Sequence, residues 1–175
     1  MTSLQNYIGQ ELQWFKPRLT QRFYELRAPG DQVLATLSRS GVFKERTVAE
    51  AEGQKWTFKR QGGFKPRIYI YPGEEPISEP LAIFNRRWSG KGELVFNDGH
   101  TFQWNRTGFW NPTLLWMTPE GITLLSIKRR KRVEIAPEAY NLSNLSLLAT
   151  LGRYLILLAE EEAAAASAAA TASSF

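Results

Sequence analysis

Short runs in which apolar and polar residues alternate follow one another along most of the chain. Clear examples are VLATLSR (33–39), GELVF (92–96) and RVEI (132–135). Turn-forming sequences such as APGD, YPGEEP, AEG and NDG separate the runs. A period of two between short turns predicts antiparallel strands. The pattern places about eleven strands, and Leu4 to Trp14 is expected to supply a twelfth strand or a flanking helix.

The aromatic runs reveal an internal repeat. WTFKRQGGFKP (56–66) and FQWNRTGFWNP (102–112) match at a constant offset of 46 residues, and a partial earlier copy, WFKPR (14–18), resembles FKPR (64–67). Self-similarity at a fixed offset over several aromatic and proline positions indicates a repeated structural unit.

A second element of the repeat follows each proline. VLATLSR is matched by PLAIFNR (80–86) and TLLSIKR (123–129), each with an apolar pair, an alternating apolar residue and an arginine. Three four-strand units therefore run along the chain. A meander of about eleven strands is expected to close or split. We expect the closed form, a mainly β, antiparallel up-and-down barrel.

The third unit breaks the pattern after RVEI. Instead of an aromatic strand, residues from about 142 to 160 carry leucine on nearly every face, as in a helix buried all round. We expect this helix to fill the barrel. A membrane-spanning helix is the alternative, but Arg153 at its centre argues against one. The predicted domain covers 1–162, and the Ala-rich segment 163–175 is expected to be a frayed helix or a disordered tail.

Three four-strand units followed by one apolar helix resemble the tubby C-terminal-like superfamily, which includes tubby domains, LURP-one-related proteins and phospholipid scramblases. The resemblance covers residues 14–162 and includes the FKPR and GFWNP segments. It implies a twelve-stranded barrel around a central helix. Tubby domains bind phosphoinositides through basic residues, and scramblases act on phospholipids with calcium. The acidic D-x-D-x-D-G calcium loop is missing from this sequence, so calcium dependence does not carry over.

Composition narrows the chemistry. Cysteine is absent and His100 is the only histidine, which excludes disulfides, thiolate nucleophiles and multi-histidine metal sites. His100 follows Asp98-Gly99, a turn sequence, so a structural role is expected. We therefore predict no catalytic set, no metal and no cofactor, in a cytoplasmic protein that is peripheral to the membrane if it meets one. Oligomeric state is left open.

The charges sort by turn. In an up-and-down barrel every second turn lies at the same end. Assigning the charged turn residues to the two ends in this way predicts one acidic and one basic end, which we call the acidic mouth and the basic mouth. The acidic mouth is expected to collect Asp31, Glu50, Glu52, Glu74, Glu75, Glu79, Asp98, Glu120 and Glu138. The helix would enter there and bring Glu160, Glu161 and Glu162 out at the basic mouth. Five arginines in equivalent positions are predicted to satisfy that helix end: Arg39, Arg60, Arg86, Arg106 and Arg129.

More positive charge gathers at the basic mouth than three glutamates neutralise. The surplus, with neighbouring aromatic residues, predicts a binding surface made of Lys44, Lys65, Arg87, Lys91, Lys128, Arg129, Arg130, Lys131, Arg132, Trp88 and Trp110. Cations beside aromatics suit an anionic phospholipid surface or another phosphate-bearing ligand. The alternatives are a nucleic-acid-binding protein and an interaction protein without a small ligand. No transmembrane span is expected.

Overall fold

The computed structural model describes residues 2–41 and 45–174, apart from the side chain of Trp88. Within these residues twelve strands form a closed antiparallel barrel, as the alternation predicts. The strands are β1 (Glu11–Phe15), β2 (Phe23–Arg27), β3 (Val33–Ser40), β4 (Arg46–Ala51), β5 (Gln54–Gln61), β6 (Arg67–Pro72), β7 (Ala82–Arg86), β8 (Gly92–Phe96), β9 (Thr101–Thr107), β10 (Thr113–Met117), β11 (Thr123–Lys128) and β12 (Arg132–Ile135).

The N-terminal segment supplies the twelfth strand. Leu4–Tyr7 forms a short 3₁₀ helix, and β1 then pairs antiparallel with both β12 and β2, with Leu12 opposite Val133 and Trp14 opposite Leu26. β1 therefore stands where the third unit lacks its aromatic strand. This closure leaves no sheet edge with unpaired backbone groups.

A helix, α1 (Leu145–Ala172), runs through the barrel, and the residues from Leu145 to Leu158 are all buried. The helix continues beyond the predicted end near residue 160, because alanine has the highest helix propensity and extends it after it leaves the barrel. Among the described residues, no helix combines the length and the apolar character needed to cross a membrane.

Gly152 lets α1 approach the barrel wall closely. A Cβ atom at this position would lie 2.9 Å from Cδ1 of Ile127 and 3.0 Å from Nε1 of Trp116. Trp104 and Trp116 pack together here with their ring centres 4.9 Å apart. The absence of a side chain on the helix is thus matched by two large side chains on the wall.

The end at which α1 enters carries carboxylates held by local contacts. Oε1 of Glu52 accepts a hydrogen bond of 2.6 Å from the backbone N–H of Leu4. His100 lies in an exposed turn, where Nδ1 is 2.9 Å from Oδ2 of Asp98. The backbone N–H of His100 donates to Asp98, and this bond, together with the side-chain contact, lowers the pKa of that carboxyl group.

The long loop between β6 and β7 departs from the predicted charge sorting. The hydroxyl of Thr57 donates to the backbone carbonyls of Gly73 and Glu74, which fixes the start of the loop beside β5. Glu75, which the sequence analysis assigned to the acidic mouth, forms an ion pair with Arg46 at the start of β4, at the other end of the barrel. This carboxylate and this guanidinium therefore neutralise each other, and neither adds to the charge of a mouth.

Candidate functional site

We call the end at which α1 leaves the barrel the basic end; it consists of the loops β1–β2, β3–β4, β5–β6, β7–β8, β9–β10 and β11–β12. Arg39 on β3 makes the most buried ion pair there, with its side chain 1 % exposed. Its Nη1 donates to Oε1 of Glu161 over 2.6 Å, and it also pairs with Glu45. Burial by itself would lower the pKa of Arg39, but these carboxylates raise it overall.

Glu162 and Glu160 hold two further sectors of the barrel. Both Nη atoms of Arg86 donate to the Glu162 carboxylate, over 2.6 and 2.9 Å, and Nη2 of Arg60 lies 3.2 Å from Oε1. The hydrogen bond from Arg86 lowers the pKa of Glu162. Nη1 of Arg130 lies 3.7 Å from Oε1 of Glu160. Arg39, Arg60 and Arg86 thus contact the helix end.

Arg106 and Arg129, the other two arginines of the predicted set, have no ion pair with α1 or with any other described residue. Helical geometry explains why Arg106 has no carboxylate partner on α1. Each residue turns a helix by about 100°, so Glu160, Glu161 and Glu162 leave one sector without a carboxylate. Ala159 and Ala163 fall in that sector, and both line a cleft with Arg106.

This cleft lies between α1 and the strands β7, β9 and β10 and has a volume of about 220 Å³. Its apolar wall includes the buried side chains Phe84, Trp104 and Leu155. Its polar rim is basic, with Arg86, Lys91, Arg106 and Arg130 beside the single carboxylate Glu160.

The glycine at position 92 shapes the apolar wall. Gly92 lies opposite Trp104 in the sheet, and a Cβ atom there would lie 2.2 Å from Cζ of Phe84. The ring of Phe84 therefore occupies the space that a side chain on β8 would take.

Lys16 lies in the β1–β2 loop and is a further cation of the basic end, which the sequence analysis missed. Lys16 comes directly after β1, and its Nζ lies 5.9 Å from the centre of the Tyr24 ring. The available signal was the partial match of WFKPR to FKPR, which aligns Lys16 with Lys65. The pairing of β1 with β12 and β2 places Lys16 at the basic end.

Arg153 is an unusual charge inside the barrel, with only 6 % of its surface exposed. Its Nη1 donates to the carbonyl of Arg130 over 2.8 Å, its guanidinium lies 5.1 Å from the Tyr24 ring centre, and its Nε has no partner among the described residues. Burial lowers its pKa. This hydrogen bond ties the buried part of α1 to the β11–β12 turn.

The predicted binding residues divide into two groups. Lys128, Arg87 and Arg132 pair across strands with Glu134, Glu93 and Glu11. Arg130, also predicted to bind, lies near Glu160 instead. The second group, Lys65, Lys91, Arg129 and Lys131, has no carboxylate partner among the described residues. Arg106, which was predicted only to satisfy the helix end, has none either, and we call these five residues the free cations. Lys44 lies outside the described residues, as does the side chain of Trp88.

The β11–β12 turn holds two arginines in a costly backbone conformation. Arg129 has φ 49° and Arg130 has φ 64°. This left-handed region costs a residue with a side chain about 1–2 kcal/mol, and glycine occupies it readily. The sequence therefore keeps two positive charges at a place where the backbone favours glycine.

Large apolar side chains are exposed at the tips of three loops of the basic end. Leu19 lies between β1 and β2, Phe64 between β5 and β6, and Phe109 and Trp110 between β9 and β10. Their exposures are 88, 98, 82 and 92 %, respectively. These loops occupy equivalent positions in the three units, so the apolar tips surround the mouth.

Comparison with known proteins gives no match from which a function could be inferred. No family model, curated protein or solved structure matches this chain.

Proposed function

We propose that the protein is a non-enzymatic binding protein that docks on an anionic phospholipid surface with its basic end. The observation that carries the proposal is the set of exposed apolar tips beside the free cations. Apolar side chains that are exposed together at one end of a molecule and bordered by polar residues mark an interaction site more often than scattered single ones do. The tubby-like resemblance points to the same class of ligand and stays a prediction.

The chemistry of the tips favours a membrane over a nucleic acid. Aromatic side chains that bind single strands stack on successive bases along one groove. Here the tips lie on three separate loops around the mouth, and Leu19 is aliphatic. The apolar tips of these three loops suit the acyl boundary of a bilayer, and the cations of the basic end suit its anionic headgroup layer.

The test is cosedimentation with phosphatidylcholine vesicles that contain or lack phosphatidylserine. Binding is expected to the anionic vesicles alone, and to fall with added salt. Equal binding to both vesicle types would refute the proposal. Steeply salt-dependent binding to single-stranded DNA without vesicle binding would replace it with the nucleic-acid alternative.

Two matched variants separate the apolar and the charged contributions. Phe64→Ser with Trp110→Ser is expected to weaken vesicle binding at least about tenfold, because burying one such side chain contributes about 1.5–3 kcal/mol. Ile77→Ser is the control, since Ile77 is equally exposed, at 91 %, but lies between β6 and β7.

For the charges, Arg129→Glu with Lys131→Glu is expected to weaken binding at least about tenfold, at about 1 kcal/mol for each charge near the membrane. Arg130 is left in place because it contacts Glu160. Lys59→Glu on the side of the barrel is the charge control. Equal losses in variant and control would show that net charge alone governs the attraction.

A further inference from the structure

We infer that the cleft beside Arg106 is a binding site for one anionic amphiphile, whose anionic group takes the place of a missing fourth glutamate on α1. This goes beyond docking on a surface, because it assigns a single molecule to a defined space. The ligand class is an anionic group joined directly to a short apolar segment.

The contrast between neighbouring sectors supports the anionic group. On β7, Arg86 is bound by both carboxylate oxygens of Glu162. On β9, Arg106 lines the cleft together with Ala159 and Ala163. Both guanidinium groups thus line the cleft, and among the described residues only that of Arg86 is held by a carboxylate.

The surroundings of Arg106 strengthen the preference for an anion. Lys91 and Arg130 share the cleft rim, and Lys91 also belongs to the free cations. Among the described residues that line the cleft, Glu160 is the only acidic one, and it lies near Arg130. An anion beside Arg106 and Lys91 would therefore meet attraction from several sides.

The wall of the cleft specifies the rest of the ligand. Phe84, Trp104 and Leu155 are almost fully buried and present apolar surface, which favours an apolar group. The volume of about 220 Å³ is below the usual range for drug-sized ligands, roughly 300–1,000 Å³. A short chain or a single ring fits this space.

Isothermal titration calorimetry with octanoate tests the site, with acetate and 1-octanol as partial probes. Octanoate is expected to bind with one molecule per chain. Acetate lacks the apolar segment and octanol lacks the charge, so each is expected to bind at least about tenfold more weakly. Binding of acetate as tight as that of octanoate, or no octanoate binding, would overturn the inference.

Ala163→Glu provides the decisive variant, because it offers Arg106 an internal carboxylate and fills the cleft. Octanoate binding is expected to be lost while the melting temperature stays equal or rises. Ala168→Glu, which adds the same charge farther along the exposed part of α1, is expected to bind octanoate normally. Unchanged octanoate binding in Ala163→Glu would contradict the site.

Arg106→Gln is the second variant and tests the guanidinium itself, with an expected loss of at least about tenfold in octanoate affinity. Octyl phosphate, compared with octanoate, distinguishes a phosphate ester from a carboxylate as the preferred source of the anion. Tighter binding of either one supports the site, whereas equal weakness of both overturns it.

The outcome is separable from that of the proposed docking. Ala163→Glu leaves Phe64, Trp110 and Lys131 unchanged, so vesicle binding is expected to persist when octanoate binding is lost. Octanoate binding by a protein that ignores anionic vesicles would refute the docking and leave the cleft site intact.

Discussion

One face of α1 meets the barrel in two different ways at two depths. At Gly152 the helix has no side chain, and Trp104, Trp116 and Ile127 fill the space up to its backbone. Near Ala159 and Ala163 the helix side chains are again small, but the wall leaves a cleft. Small residues on this face therefore have two effects. Inside the barrel they allow close packing against the strands, and at the basic end they leave room for the cleft.

The same contrast extends to charge. On the sides of α1 that carry Glu161 and Glu162, these carboxylates hold Arg39, Arg60 and Arg86. Where the face carries alanine, Arg106 has no carboxylate among the described residues. The arginines that are paired with a glutamate stabilise the fold, whereas the guanidinium of Arg106 is available to bind an anion.

The largest expected effect comes from filling the deep level. Gly152→Val places a branched side chain within 3.0 Å of Trp116 and Ile127, and overpacking of this kind is expected to cost about 3 kcal/mol of unfolding free energy. Urea unfolding measures the loss. Ala163→Val at the open level is the matched control, expected to stay within about 0.5 kcal/mol of the parent. Equal losses of unfolding free energy in both variants would show that α1 is packed equally closely at Gly152 and at Ala163.

Breaking the most buried filled sector comes next. Glu161→Gln removes the carboxylate that receives two hydrogen bonds from the buried Arg39. Hydrogen bonds to charged groups contribute about 1.5–3 kcal/mol, and Glu45 remains as a partner, so we expect a loss of about 2 kcal/mol in thermal or urea unfolding. A loss no greater than that of Glu160→Gln would show that burial of Arg39 is unimportant.

The smallest expected effect depends on pH. Hydrogen bonding from Arg86 lowers the pKa of Glu162 below its ordinary value of 4.5. A carboxyl group with a lowered folded-state pKa stabilises the protein above the unfolded-state pKa, and that contribution is lost as pH falls through the folded-state value. Glu162 is partly exposed, so the pair is worth at most about 1 kcal/mol.

The measurement compares the parent with Glu162→Gln from pH 7 down to pH 3. The parent is expected to be the more stable near neutral pH, and the difference is expected to shrink below about pH 4.5. A difference that grows on acidification would show that Glu162 destabilises the fold when it is ionised.

Particular residues show how far the sequence reached. Alternation and the repeat predicted about eleven antiparallel strands, because a strand pattern of period two reports which face is buried. The twelve-stranded barrel around a central helix was implied by the resemblance. The same repeat assigned equal roles to Arg86 and Arg106. It could not distinguish them, because their difference depends on the direction in which Glu162 leaves a helix far away in sequence.

The extent of α1 and the role of β1 show the same limit. The sequence analysis left the Ala-rich segment 163–175 as a frayed helix or a disordered tail, and the structure continues α1 to Ala172. β1 was recognisable as a strand or a helix. Its place beside β12 depended on closure of the sheet, which pairs the two ends of the chain.

By itself the sequence determined the strands, the three units, the apolar helix and an excess of positive charge at one group of turns. These properties are local or periodic, so they can be read from neighbouring residues. Only the tertiary structure decided which arginines meet carboxylates and where a cleft remains. Those outcomes follow from the rotation of α1 inside the barrel, because a helix with three consecutive glutamates leaves one sector of its circumference to alanine.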